Sequence, residues 1–291
     1  TSAEDSHRRL VLAALLQHAL VLRDERQVAL AVERRALSQR LAAASEKRRK
    51  AGGVPELDVA LATLQERRDA SSETASKGAL DADKLALLSL LGLSPQNPLV
   101  VGTLVPTGEP PTLAVLLREL AQRTDVRAAA ASVDAAKARL SRERAGKWPT
   151  ISVLAQYERD DRANIGLLGV AIPIPVLNAN RANVATAEAE VGAASARLTA
   201  SRADAEGQLK VLYARYQSTK TAVEALAPAA GIAKQAVDLS TRAYELGESD
   251  LGTVLLARRE ALEAQVALLE AEHAHATAKI ELLVAAGRIP Q

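Results

Sequence analysis

The side chains best suited to chemistry are few, and all sit on helical patterns or at their breaks. His273 and His275, with Glu272 beside them, form the most metal-like group in the chain. Zinc-binding histidines on a helix stand four apart, which places both rings on one face; two apart, they diverge by about 200° around the axis. That spacing predicts surface histidines and no metal site. Asp160 and Asp161 fall between two alternating apolar runs, in a stretch read as a solvated loop. Glu248 and Asp250 lie where one helical pattern stops and another starts, so either Ser249 or Asp250 can cap the first free amides of the next helix. Cysteine is absent, as are a Gly-x-Ser-x-Gly elbow and a phosphate-cradling glycine loop. Carboxylates are scattered at salt-bridge spacing along helix faces. The chain is therefore expected to be no enzyme and to need no cofactor.

The break that holds Glu248 and Asp250 is the stretch around which the chain is organised. Apolar residues recur at helical spacing up to Tyr244 and resume at Leu251, Val254 and Leu255. Gly247 suits the left-handed conformation that ends a helix, so the stretch predicts a helical hairpin with a very short turn. The same grammar occurs earlier, at Gly52, Gly53, Pro55, Leu57 and Leu61, and can be laid on the later tip with Gly53, 194 residues earlier, on Gly247. The helices leaving both tips end alike, Gly92 matching Gly287 at an offset of 195, as if one residue had been inserted. This is an internal duplication with a period too long for a solenoid.

The composition agrees with long helices. Of 291 residues, 25% are charged and 2% aromatic, and Phe, Met and Cys are missing, so a thin seam of Ala, Leu and Val must replace a compact core. A formal charge of +2, with both signs mixed, argues against nucleic acid as a partner. No apolar run is long enough for a membrane helix, and the first residues do not read as a signal peptide. The chain is expected either to be cytosolic or to be a processed form; the duplication favours the second.

Along the chain, residues 4–50 read as one helix of roughly 70 Å. A second, antiparallel helix covers about 57–91, with a weak, kink-prone spot at Ser71–Gly78. Together 1–92 form a first helical hairpin. Prolines 95, 98, 106, 110 and 111 mark a linker, 93–124, with a possible strand at 99–105 and a short helix at 112–119. Asp125 is expected to cap an Ala-rich helix, 125–149, that Pro149 stops. From 150 to 176 the period becomes two: Ile151, Val153, Ala155 and Tyr157 alternate on one strand, and Leu168, Val170, Ile172 and Ile174 on another, with Glu158–Asn164 as a charged loop. Arms of this length match a tilted membrane strand. Residues 177–291 form a second helical hairpin, its first helix interrupted at Pro228 and Gly231.

A β-hairpin between very long helices, with a duplicated glycine tip, resembles the TolC-like outer-membrane efflux family. Lys147-Trp148-Pro149 through Val153 is similar to the opening of its barrel strand. Ile172-Pro173-Ile174-Pro175-Val176-Leu177-Asn178 is similar to its exit, in the form of the heavy-metal, cobalt-zinc-cadmium branch. Tyr244 through Arg258 looks like its periplasmic tip.

The resemblance implies a mainly α fold of long antiparallel coiled-coil hairpins, with one β-hairpin contributing to an outer-membrane β-barrel. It implies a homotrimer in the outer membrane and periplasm of a Gram-negative bacterium, acting as passive export duct of a tripartite pump, with metal cations as cargo. The implied partners are outer-membrane lipid, a periplasmic adaptor (membrane fusion) protein and an inner-membrane pump of the resistance-nodulation-division type. Lipid would meet Trp148, Ile151, Val153, Tyr157, Val170, Ile172 and Ile174. The adaptor would dock on Gly52, Gly53, Leu57, Tyr244, Gly247, Ser249, Leu251, Gly252 and Thr253. Glu248 and Asp250, repeated on converging tips, would form a charged pore gate. Family members usually carry two β-hairpins per copy, so the chain is expected to be N-terminally truncated; three copies would then offer six strands, fewer than the eight of the smallest usual barrels. The alternative is a soluble periplasmic coiled-coil structural or adaptor protein without channel activity, disfavoured by the two tips and the single β-hairpin.

Overall fold

The computed structural model describes residues 2–97, 99, 102, 108–146, 151–161, 163–172 and 180–288. They contain helices α1 (Ser2–Lys50), α2 (Glu56–Leu90), α3 (Leu113–Arg118), α4 (Thr124–Ala145), α5 (Arg181–Leu246) and α6 (Leu251–Ala285), strands β1 (Ser152–Asp160) and β2 (Ala163–Ala171), and a 3₁₀ turn at Glu119–Gln122. The chain divides into two compact units, one of Arg118–Gly207 and one of Ser2–Leu117 with Gln208–Gln291.

In the larger unit, α1 lies between α2 and α6. Ion pairs stitch α1 to α2: Arg34 to Asp69 at 3.1 Å, Arg35 to Glu73 at 3.0 Å and Lys84 to Glu25 at 3.0 Å. On its other side α1 meets α6 through Ala19, Ile280 and Val284, with Leu12, Leu15 and Leu16 packed around them. Arg26 pairs with Glu272 across the same contact. The lower part of α5 packs on α6, where Arg215 pairs with Glu281 at 2.8 Å and Tyr216 stacks on His275. Helix α5 also reaches α1, where Lys234 lies 3.8 Å from Glu33. Each buried Leu or Val contributes about 1.5–3 kcal/mol, and small clusters repeated along a seam replace the single large core of a compact domain.

The duplication is tighter than the sequence suggests. Gly52 and Gly247 both have positive φ, at 75° and 88°. Each follows a helix closed by a Schellman pair: Gly53 N–H donates to Arg48 O at 2.8 Å, and Glu248 N–H to Ala243 O at 2.8 Å. Gly52, not Gly53, is therefore the partner of Gly247, 195 residues apart. Helices α2 and α6 have 35 residues each, start and stop at that same offset, and end on Gly92 and Gly287, again with positive φ. No residue is inserted; the shift of one came from aligning Leu57 with Leu251 by residue type.

Other expectations change as well. Helix α2 runs unbroken through Ser71–Gly78. Helix α5 runs unbroken through Pro228 and Gly231, because Pro removes one amide donor while the flanking Ala-rich turns keep theirs. Asp125 is not the cap of α4: Arg123 occupies that position, and the Asp125 carboxylate pairs with its guanidinium at 2.8 Å. The proposed strand at 99–105 falls almost wholly outside the described residues.

In the smaller unit, Val133 and Ala136 of α4 pack on Ala194 of α5, with Val191 and Leu198 beside them. Strands β1 and β2 pair antiparallel, with Ser152 opposite Ala171 and Asp160 opposite Ala163. The expected charged loop 158–164 is mostly strand, and only 161–162 separate the two arms. Polar residues fit a pleated, solvent-facing strand as well as they fit a loop.

Candidate functional site

The tips of the two helical hairpins meet. Leu41 of α1, Ala62 of α2, Tyr244 of α5, and Leu251 and Val254 of α6 form one buried cluster. Within it the Tyr244 hydroxyl and Ser45 Oγ share a hydrogen bond of 2.7 Å. Arg48 lies with its guanidinium 4.6 Å from the centre of the Tyr244 ring and donates from Nη1 to the carbonyls of Tyr244, at 2.8 Å, and Ser249, at 3.3 Å. A cation from the first tip thus satisfies carbonyls that the ending helix of the second tip leaves free. Asp250 caps α6: its Oδ1 accepts from Thr253 N–H at 2.9 Å and its Oδ2 from the Thr253 hydroxyl at 3.0 Å. These bonds hold its pKa below the usual carboxylate value, so it stays charged. Gly252 is needed here, since a Cβ would come within 2.9 Å of Asp250 Oδ1.

Of the nine tip residues expected to face a partner, Gly52, Gly53, Leu57, Gly247, Gly252 and Thr253 are exposed and Ser249 is half-buried. Tyr244 and Leu251 differ from the rest: at 0% and 2% exposure they belong to the core that fastens the tips together. Their apolar bulk at helical spacing already implied an inward face. Glu248 and Asp250 are both exposed.

Above the tip, α1, α2 and α6 share a charged layer. Asp69, 1% exposed, accepts from Arg258 at 2.8 Å, from Arg34 at 3.1 Å and from Gln65 at 3.2 Å. Higher still, Asp24 is 3% exposed, with Arg23 donating to its Oδ1 at 2.9 and 2.6 Å. The Asp83 carboxyl lies within hydrogen-bond reach, and burial first, then this neighbour, raise the Asp24 pKa. Gln17 Nε2 donates to Asp83 Oδ1 at 3.1 Å. Sequence reading missed Ser45, Arg48, Asp24 and Asp69, because on an isolated helix they look like any other surface polar residue.

The histidines point apart, as their spacing requires, but neither is a surface residue. His273 is half-buried toward α1 beside Ala19 and Arg23. His275 stacks on Tyr216, ring centres 5.0 Å apart, with Nδ1 3.3 Å from the Thr219 hydroxyl. Burial is the first cause lowering both pKa values, so both rings act as neutral wedges between helices. No group of three or more His, Cys, Asp or Glu among the described residues could hold a metal ion.

The β-hairpin presents one strongly apolar face. Its register aligns Val153 with Val170, Ala155 with Leu168 and Tyr157 with Gly166, with Ile151 and Ile172 continuing the same face. All of these are exposed, and Leu168 reaches 84%. The opposite face is mixed, with Ser152, Gln156 and Glu158 among Leu154, Ile165 and Leu167. Trp148 and Ile174 lie outside the described residues.

A family model described as outer membrane efflux protein matches residues 115–288. The cobalt-zinc-cadmium resistance protein CzcC of Cupriavidus metallidurans is 28% identical over 259 residues, covering 86% of this chain and 60% of that protein. This chain thus spans less than two thirds of that relative. Among solved structures, CusC superposes with a TM-score of 0.76 at 22% identity, over 97% of this chain and 69% of that one. The outer-membrane channel OprN gives 0.73 at 21% identity over 96% and 66%, and VceC of Vibrio cholerae 0.72 at 20% over 97% and 69%. The fold is therefore the mainly α, TolC-like one with a single β-hairpin among the described residues, and no relative among these is an enzyme. By the match over 115–288, which is more than half of its length, this chain belongs to the outer membrane efflux protein family.

Proposed function

We propose that this chain is the outer-membrane channel component of a tripartite efflux pump, a passive export duct for divalent heavy-metal cations. The observation that carries the reading is the hairpin's exposed apolar face, in a chain whose helical hairpins are locked together at their tips. An open two-stranded hairpin leaves unpaired backbone groups at both edges, which lipid cannot satisfy; closing a barrel with further strands does. In this reading three copies assemble, residues 1–92 and 177–291 are the helical hairpins of the periplasmic tunnel, 93–124 is an equatorial linker, 125–149 a helix and 150–176 the membrane strands.

The periplasmic adaptor docks on Gly52, Gly53, Gly247, Ser249, Gly252 and Thr253, with Leu57 at the margin; small residues there allow close backbone approach. The adaptor links the duct to a resistance-nodulation-division type pump in the inner membrane. Glu248 and the capping Asp250, repeated on three tips, form the charged rim through which cations pass. The metal cargo rests on the likeness to CzcC and on the Ile172–Asn178 exit. The test is light scattering in plain buffer and in detergent, paired with zinc, cobalt and cadmium tolerance of a Gram-negative strain deprived of its own channel. A detergent mass of three 30.7 kDa copies and restored tolerance are expected. A single-copy mass in both solvents overturns the duct.

A further inference from the structure

Within the larger unit, α1, α5 and α6 enclose a cavity of about 860 Å³ above the joined tips, with Asp69 of α2 also on its wall. That volume is in the range of pockets for organic small molecules and far exceeds what a single inorganic ion fills. Its walls are of two kinds. Leu37 of α1, Val237 of α5, and Leu255 and Leu262 of α6 supply apolar surface, and the three leucines are only half-buried. The polar part is cationic. Asp69 is the one deeply buried carboxylate on the wall, and it already serves two guanidiniums, Arg258 at 2.8 Å and Arg34 at 3.1 Å. One positive charge is left over. Arg40 and Arg242, exposed on the same wall, have no ion pair among the described residues. The other carboxylates are at the exposed margin, where Glu33 pairs with Lys234 and where Asp238 and Glu245 flank Arg242 along α5.

Two donors on this wall have nothing to bond. Nη1 of Arg258, whose side chain is 10% exposed, and Oγ1 of Thr241, a residue 8% exposed, are buried without a hydrogen-bond partner. Elsewhere on α5 the hydroxyls of Thr219 and Thr221 donate to the carbonyls four residues back, at 2.9 and 3.1 Å. The Thr241 hydroxyl makes no such bond. A buried donor left without an acceptor is costly and uncommon in native proteins, so two of them at one cavity call for an acceptor from outside the chain.

We propose that this cavity binds an organic anion, a carboxylate on an apolar body of the size of a medium-chain fatty acid. Its headgroup accepts from Arg258 and Thr241, and its chain lies against Leu37, Val237, Leu255 and Leu262. A guanidinium can only donate and the free hydroxyl has a proton to give, so the headgroup must accept; the surplus positive charge selects a negative one. The apolar wall selects the body, because a bare ion would leave the leucines facing water. Bound there, the anion ties α5 to α6 through donors that the chain itself leaves unpaired. All residues of the site belong to one copy, so it goes beyond the channel reading and does not depend on it.

The test is equilibrium dialysis of the full chain in detergent against radiolabelled octanoate, with protein-free detergent as background. One octanoate per chain is expected, bound about tenfold or more tighter than octanol, which lacks the charge, and than acetate, which lacks the body. Thr241→Val keeps the side-chain shape and removes the hydroxyl, and should weaken octanoate about three- to tenfold; Arg258→Gln should weaken it further. Because Arg258 also holds the buried Asp69, circular dichroism checks that its variant keeps its helices. Arg242→Glu, at an exposed position, carries the test if that variant unfolds, and should weaken octanoate while leaving octanol unchanged. Octanol bound as tightly as octanoate, or octanoate bound equally well by Thr241→Val and Arg242→Glu, overturns the anion site. Octanoate retained no better than the background overturns it too, and acetate bound as tightly overturns the apolar body. A single-copy mass by light scattering would remove the duct and leave each of these results unaffected.

Discussion

Arg48 shows how much one side chain decides at the tip. It bonds the Tyr244 and Ser249 carbonyls and covers the Tyr244 ring, joining the end of one helical hairpin to the turn of the other. Arg48→Ala leaves those carbonyls to water and is expected to cost about 1–3 kcal/mol, on the scale of hydrogen bonds to a charged group. Hydrogen exchange should then quicken at 243–249 and leave α4 unchanged; uniform exchange across the chain would refute this. Asp24 makes a prediction about pH. Its folded pKa is raised by burial and by Asp83, so the protonated form is the one that folding favours. Its contribution is fully present below the unfolded pKa and is lost as pH rises through the raised folded value. Unfolding midpoints should therefore fall with rising pH in that window, and Asp24→Asn should flatten the slope.

At the scale of elements, the register of the β-hairpin separates an apolar face from a mixed one, and the channel reading gives the apolar face to lipid. Leu168 sits on the apolar face with Val153, Val170 and Tyr157, while Gln156 sits on the mixed face. Leu168→Arg is expected to reduce recovery in the membrane fraction, at a cost of about 2–4 kcal/mol near the midplane. Gln156→Arg should not, and equal losses for both would refute the assignment of faces. Helix α5 carries Pro228 without ending. Restoring its amide with Pro228→Ala should raise the unfolding midpoint, since an interior Pro costs about 3 kcal/mol relative to Ala; an unchanged midpoint would mean neighbouring turns already compensate fully.

At the scale of the whole molecule, helices held by narrow seams leave α2 and α5 with exposed apolar residues such as Leu57, Leu64, Leu239 and Leu246, which the channel reading covers with further copies. Ser71 is a small exposed residue seven positions from Leu64 on α2. Ser71→Trp places bulk there, and if further copies cover this face the expected outcome is a fall in detergent mass to one 30.7 kDa copy with helical circular dichroism retained. An assembled mass for that variant would show that the flank is free of contacts. The same thinness explains why buried carboxyl groups such as those of Asp69 and Asp24 are tolerated. Each meets partners from neighbouring helices, and breaking such a pair from one side is expected to be costly.

Periodicity and punctuation in the sequence were enough to set the long helices, both glycine tips and the β-hairpin, while the efflux family was reached through the resemblance of the tip and strand-flanking residues. These depend on local physics: helical spacing of apolar residues, positive φ at glycine and strand alternation. What local pattern could not set is which polar residues lie inside. Ser45, Arg48, Asp24 and Asp69 are indistinguishable from surface residues until a second helix arrives to bury them, and His273 and His275 looked exposed for the same reason. Tyr244 and Leu251 read as tip surface because they stand next to the turn, whereas the meeting of two tips makes them core. The duplication's true offset was likewise settled by backbone geometry: φ and cap bonds place Gly52 on Gly247, where side-chain likeness had placed Gly53. Burial is a property of contacts between elements, and only the tertiary structure supplies those contacts.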